Sequence, residues 1–126
     1  MSLDKKVDMS VSIGGVHFKN PVMSASGTFS EDFAQVIDFN LLGALVTKSV
    51  TPNPRLGNRG PRAAETIAGM INAVGIQSKG ADAFIKYAIP FYKQFDSPLI
   101  VSISADTADD FAKLAAKLSI DGVAAL

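Results

Sequence analysis

The chain has 126 residues, about one ordinary domain, and 48% of them are hydrophobic against 19% charged, which predicts a packed core and excludes a disordered chain. Lysine plus arginine and aspartate plus glutamate balance at 12 each, so charge gives no reason to expect a nucleic acid or an anionic membrane as partner. Cysteine is absent, which rules out disulfides and thiolate metal sites within these residues and agrees with a cytoplasmic location, and no apolar run reaches the roughly 18 residues of a membrane span.

The start, Met1-Ser2-Leu3-Asp4-Lys5-Lys6, is polar and carries no signal-peptide core. From Val7 to Ile13 the residues alternate, with Val7, Met9, Val11 and Ile13 set against Asp8, Ser10 and Ser12. That pattern predicts a strand with one buried face. Gly14-Gly15 is a two-residue hairpin signal, and Val16-His17-Phe18 begins the return strand. A lone histidine in such a strand implies no chemistry.

A short strand is expected over Val22–Ser26, closed by Gly27. Thr28 and Glu31 have capping-box spacing, with Ser30 as a rival cap, and Phe33, Val36 and Ile37 mark one face of the helix that would follow. Ala44–Thr47 reads as the next strand. Between Ser49 and Ala63 lie three prolines, two glycines and three arginines with no helical period, a long connection of the kind that is usually functional or mobile. Asp82–Phe95 predicts an amphipathic helix with Phe84, Ala88, Phe91 and Phe95 on one side, kinked or restarted at Pro90. Pro98–Ile103 is a strand. Thr107 and Asp110 frame a helix whose apolar face is Phe111, Leu114, Ala115 and Leu118. Asp121-Gly122 turns the chain into a last apolar strand, Val123–Leu126.

A hairpin followed by alternating strands and helices implies right-handed βαβ units and a parallel sheet. Because the chain stops inside an apolar strand and a (β/α)8 barrel takes about 250 residues, the expected fold is α/β, the N-terminal half of a TIM barrel with an N-terminal β-hairpin, forming one part of a single domain.

In such folds ligands sit beyond the carboxyl ends of the strands. Lys48 ends the apolar run Ala44–Thr47, and lysine is almost never fully buried unless paired. Taken alone it reads first as the point where a strand meets water. Ala25-Ser26-Gly27 offers small side chains and open backbone N–H groups at another strand end. Asn72-Ala73-Val74-Gly75 places a planar amide, which both donates and accepts, next to a glycine.

The stretches Thr47-Lys48-Ser49-Val50-Thr51-Pro52-Asn53-Pro54-Arg55-Leu56-Gly57-Asn58-Arg59-Gly60-Pro61-Arg62, Gly69-Met70-Ile71-Asn72-Ala73-Val74-Gly75 and Lys19-Asn20-Pro21-Val22-Met23-Ser24-Ala25-Ser26-Gly27 together resemble the dihydroorotate dehydrogenases. The likeness is nearest to the soluble class linked to NAD through a partner subunit, and it covers nearly the whole chain. It implies an FMN-binding barrel that oxidises dihydroorotate to orotate in pyrimidine biosynthesis.

By that resemblance Ser24, Ala25, Ser26, Gly27, Thr28, Lys48, Ser49 and Ser102 lie against FMN. Lys48, Asn72, Ala73, Val74, Gly75 and Ile76 contact the substrate. Ser102 is the weakest of these matches, since some members have Asn there. The family's general base and its FMN phosphate loops are expected beyond Leu126, so no catalytic residue and no metal ligand is assigned. A homodimer and an iron–sulfur and FAD subunit passing electrons to NAD are the implied partners. Two other readings stand beside this one: a related FMN-barrel pyrimidine reductase resembling dihydropyrimidine dehydrogenase, and a non-catalytic βα fragment.

Overall fold

The computed structural model describes residues 7–126. The chain opens with an antiparallel hairpin, β1 (Val11–Ile13) and β2 (Val16–Phe18), in register Val11 to Phe18 and Ile13 to Val16. Gly14 and Gly15 turn it with φ of +57° and +83°, the left-handed pair that a tight two-residue hairpin turn requires. The strand is shorter than its alternation predicts, and its apolar face is not buried. Met9, Ile13 and Val7 are 51, 60 and 79% exposed, because none of the described elements packs over them.

Four short strand segments then lie side by side in chain order, all parallel. Met23 bridges Ala44. β3 (Leu45–Val46) pairs with β6 (Leu99–Ile100), extended by a bridge from Val50 to Ile103, and Ile100 bridges Ala125. The expected parallel order of segments near 22–26, 44–48, 98–103 and 122–126 is therefore what forms. Within the described residues this is a mixed α/β arrangement and not a closed barrel.

Alternation along β3 and β6 divides the sheet into two faces. Leu45, Thr47, Leu99 and Val101 are buried under the helices, whereas Val46, Lys48, Ile100 and Ser102 are half-buried on the other face. The buried face meets Ile89 and Tyr92 of the helical run Ala81–Tyr92 and Leu114 and Leu118 of α3 (Ala108–Leu118). Phe39, fully buried, sits at the aromatic centre, with ring centroids 4.9 Å from Phe29, 5.0 Å from Phe95 and 6.3 Å from Tyr92. Burial, reinforced by the Glu31 and Asp32 carboxylates, pushes the Tyr92 phenol well above the usual tyrosine range. The Ser97 hydroxyl, also buried, faces the carbonyls of Phe39 and Leu42 and binds the sheet to that centre.

Between the first and second parallel segments the predicted capped helix does not form. The chain makes two 3-10 turns, Glu31–Gln35 and Phe39–Leu41. Ser30 precedes the first without a side-chain cap bond, and Thr28 and Glu31 make no capping box. Phe33, Val36 and Ile37 are 37, 78 and 41% exposed. Phe29 and Phe39 take the core positions instead, and an Asp38 cap on Asn40 N restarts the chain too soon for a longer helix.

The later helices follow the sequence more closely. Ala81–Tyr92 is one helical run with three parts: α1 (Ala81–Ala83), a π turn over Phe84–Ala88, and α2 (Ile89–Tyr92). Pro90 explains the wide turn, since proline has no N–H and its ring would collide with the carbonyl four residues back in a regular α-helix. Thr107 caps α3 by accepting from Asp110 N at 3.1 Å. Phe111 of its predicted apolar face is 40% exposed.

The long connection holds structure that periodicity did not predict. Ala63–Thr66 (β4) and Gly69–Asn72 (β5) form an antiparallel hairpin, with Ala63 opposite Asn72. Every residue of both strands is exposed, so no buried face imposed an alternating pattern. Among the described residues no helix is long and apolar enough to cross a membrane.

Candidate functional site

The carboxyl ends of the parallel segments bring three of the predicted residue groups into contact. Ser24 sits where the first segment leaves the sheet. Its hydroxyl donates to Val46 O at 2.9 Å and accepts from Val46 N at 2.8 Å. One side chain thus replaces a rung of backbone pairing, and the hydroxyl is committed to the protein. Past that point the first segment is free to turn through Ala25, Ser26 and Gly27. A Cβ built on Gly27 would meet nothing within 4 Å, so the turn has open space over it.

Lys48 continues β3 into this turn. Its backbone N–H donates to Phe29 O at 3.1 Å and its ammonium donates to Gly27 O at 3.0 Å. An ammonium has three donors, and no carboxylate among the described residues lies within ion-pair distance of this one. The site therefore presents a half-buried cation, anchored by one neutral carbonyl, beside an open turn. Ser49 and Ser102 face each other from the ends of β3 and β6, hydroxyl to hydroxyl at 2.9 Å. The Thr47 hydroxyl, on the buried face of the same strand, has no hydrogen-bond partner among the described residues.

Asn72 to Ile76 lie apart from this cluster, on the return limb of the exposed hairpin. No hydrogen bond joins them to Lys48, Ser49 or Ser102 among the described residues. Gly75 has φ +77°, and a Cβ there would lie 2.8 Å from both the backbone N and the side-chain oxygen of Asn58. Ile76 follows at φ +50°, a left-handed conformation that is unusual for any β-branched residue. The segment is held by residues that sequence reasoning did not assign. Asn58 donates from its amide to Ala73 O and from its backbone to Val74 O, both at 3.0 Å. Arg62 donates to Leu56 O at 2.7 Å and to Gln77 Oε1 at 2.9 Å. The arginines of the connection were the signal available for these braces.

An unpaired ammonium beside an open glycine turn at parallel strand ends suits a flat, anionic ligand. Ser49 and Ser102, joined hydroxyl to hydroxyl, and the backbone of residues 25–27 add hydrogen-bonding groups at the same strand ends. Among the described residues no cluster of three or more metal-ligating side chains is present.

Residues 8–126 match the family model described as "Dihydroorotate dehydrogenase". The chain belongs to the dihydroorotate dehydrogenase family. Among relatives of this family, a Thermoanaerobacter sp. (strain X514) protein named "Dihydroorotate dehydrogenase B (NAD(+)), catalytic subunit" is 47% identical over 119 residues, covering 93% of this chain and 39% of the relative. A Desulforudis audaxviator protein of the same name is 49% identical over 124 residues, covering 96% of this chain and 40% of its own length. The family member from Eimeria tenella, solved as dihydroorotate dehydrogenase in complex with ferulenol, aligns with a TM-score of 0.62 at 25% identity, over 88% of this chain and 33% of that one. The chain thus spans about two fifths of the length of these bacterial relatives.

Proposed function

We propose that this chain supplies the N-terminal half of a TIM-barrel flavoenzyme that oxidises dihydroorotate to orotate in pyrimidine biosynthesis. The observation that carries the reading is Lys48, an ammonium with no carboxylate partner among the described residues, bonded to Gly27 O at the mouth of a parallel sheet. Four parallel segments in chain order support the half barrel, since a barrel's first strands are adjacent in this way.

The residues at the strand ends fit the ring end of FMN: open backbone at Ala25, Ser26 and Gly27, with Thr28 alongside, and hydroxyls from Ser49 and Ser102. Bound there, FMN supplies the two-electron acceptor. Lys48 would hold a fixed positive charge beside the bound ring and the substrate carboxylate, the kind of preorganised stabilisation that lowers a barrier without reorganisation. Ser24 acts through Val46, holding the strand gap that aims Lys48. Asn72 offers amide donors and an acceptor in one plane for the imide and amide edge of the pyrimidine, with Ala73, Val74, Gly75 and Ile76 shaping the rest of that contact. A homodimer, a cytoplasmic location and an iron–sulfur and FAD partner passing electrons to NAD complete the reading. The relatives' designation as a catalytic subunit supports such a companion.

Anaerobic addition of dihydroorotate to the full-length protein tests the reading. It should bleach a bound flavin and yield orotate, and Asn72→Ala should weaken orotate binding by about 1–3 kcal/mol through the groups left without partners. A full-length protein that takes up no flavin, or whose flavin dihydroorotate leaves oxidised, would refute it.

A further inference from the structure

We infer that Arg55 and Asp106 form a clamp that sets the tilt of the arm 55–78 over the ends of β3 and β6, and so positions Asn72 for the ligand held at Lys48. The inference rests on the functional reading above for the identity of that ligand.

The arm is braced internally. Arg55 and Ser78 exchange backbone hydrogen bonds at 2.8 and 2.9 Å, and the Ser78 hydroxyl accepts from Thr51 N and Gly80 N. Gly80, at φ +84°, packs so closely on the other limb that a Cβ would lie 2.8 Å from Pro54 N. Together with Asn58 and Arg62, these contacts make the arm one piece. They say nothing about where it points. Both strands of its hairpin are exposed throughout, so hydrophobic packing does not fix its direction.

Among the described residues, the side-chain hydrogen bonds that leave segment 51–80 come from one residue. Arg55 Nη2 donates to both carboxylate oxygens of Asp106, each at 2.8 Å. Asp106 stands in the loop after β6, four residues past Ser102. Arg55 stands seven past Lys48. Just below, the two segments are tied by Val50 N to Ser102 O and Ser104 N to Val50 O. The ion pair therefore closes a small ring between the connections that leave two neighbouring strands.

The arginine and aspartate side chains are 36 and 76% exposed. A pair that open to water adds little to stability and is screened within about 8–10 Å at ordinary salt. Its effect is therefore expected in the arm's position and in ligand affinity, with the folding equilibrium almost unmoved. This gives Arg55 and Asp106 a positioning role, exerted through the arm.

The test uses the full-length protein with Asp106→Asn, and with the exchanged pair Arg55→Asp plus Asp106→Arg. Two quantities are read: amide hydrogen exchange over residues 55–78, which needs no flavin, and orotate affinity. Asp106→Asn should speed exchange in the arm and weaken orotate binding roughly fivefold, leaving the unfolding midpoint unchanged. The exchanged pair should recover most of both effects. High salt should weaken orotate binding to the parent more than to Asp106→Asn. Unchanged exchange, faster exchange with unchanged affinity, or an exchanged pair that recovers neither would overturn the inference. If the parent itself binds no orotate, the functional reading fails, and the exchange measurement alone decides whether the clamp exists.

Discussion

Replacing Lys48 with methionine keeps most of the apolar stem and removes the charge. In the full-length enzyme proposed above, that change carries two different magnitudes. The folded protein loses one hydrogen bond, the 3.0 Å contact with Gly27 O at a half-buried position, which is worth about 1 kcal/mol net. On the proposed function catalysis loses more, because no carboxylate among the described residues competes for the ammonium and it stands beside the open 25–27 turn. Removal of such a preorganised donor costs about 3–4 kcal/mol of transition-state stabilisation, or roughly 10²–10³ in rate. Anaerobic stopped-flow reduction of the flavin by dihydroorotate, at saturating substrate, reads the second magnitude, and urea unfolding of the same preparation reads the first. A fall in rate with a nearly unchanged unfolding midpoint is expected. Reduction of Lys48→Met as fast as the parent would show that Lys48 is only a strand-end charge and would refute the site.

Three further outcomes follow from the packing. Ser24→Ala strips Val46 of both its partners and should cost about 2 kcal/mol in urea unfolding, with Ser24→Thr recovering much of it. Gly43→Ala would push a Cβ to 1.8 Å from the Asn20 carbonyl and strain the 2.7 Å bond from Gly43 N to Val22 O; a loss of about 2–3 kcal/mol is expected in the same assay. The raised Tyr92 pKa means that the folded state holds its phenolic proton more tightly than the unfolded chain, whose tyrosine has the ordinary value of 10.0. The resulting stability is fully present below pH 10 and declines as pH rises above it. Unfolding midpoints compared at pH 9 and pH 11 should fall more steeply for the parent than for Tyr92→Phe.

Much of the sheet was legible because each parallel segment announces itself by composition. Ala44–Thr47 and Leu99–Val101 are apolar runs bounded by turn residues, and Gly14-Gly15 fixes the first hairpin by backbone chemistry alone. Thr107 and Pro90 acted through their own atoms, one as a cap acceptor and the other as a missing donor. The failures share a different cause. The 31–41 segment carries helix-like spacing, yet its tertiary partners chose Phe29 and Phe39, which periodicity cannot rank against Phe33. The β4–β5 hairpin buries neither face and turns through Ile67-Ala68, so it lacks both an alternating pattern and the Asn-Gly type of turn that would announce it. Of the site, the strand-end residues could be picked out singly from sequence. Contacts such as Lys48 to Gly27 and Ser49 to Ser102 span 21 and 53 residues and depend on which segments become neighbours. Arg55 and Asp106 looked like ordinary surface charges until the two loops were placed side by side.

The two-faced division of β3 has a consequence for how this segment can change over generations. Leu45 and Thr47 point into the core while Val46 and Lys48 point to the open face. Insertion or deletion of a single residue ahead of Leu45 would exchange the two sets, sending the lysine under the helices and the leucine out of the core onto the half-buried open face. A lineage could not drift gradually from a working site to a broken one by such a step, because the same event would unmake the fold. Selection for a stable protein alone thus guards the phase of the strand that presents Lys48, even in periods when the reaction itself is under no selection.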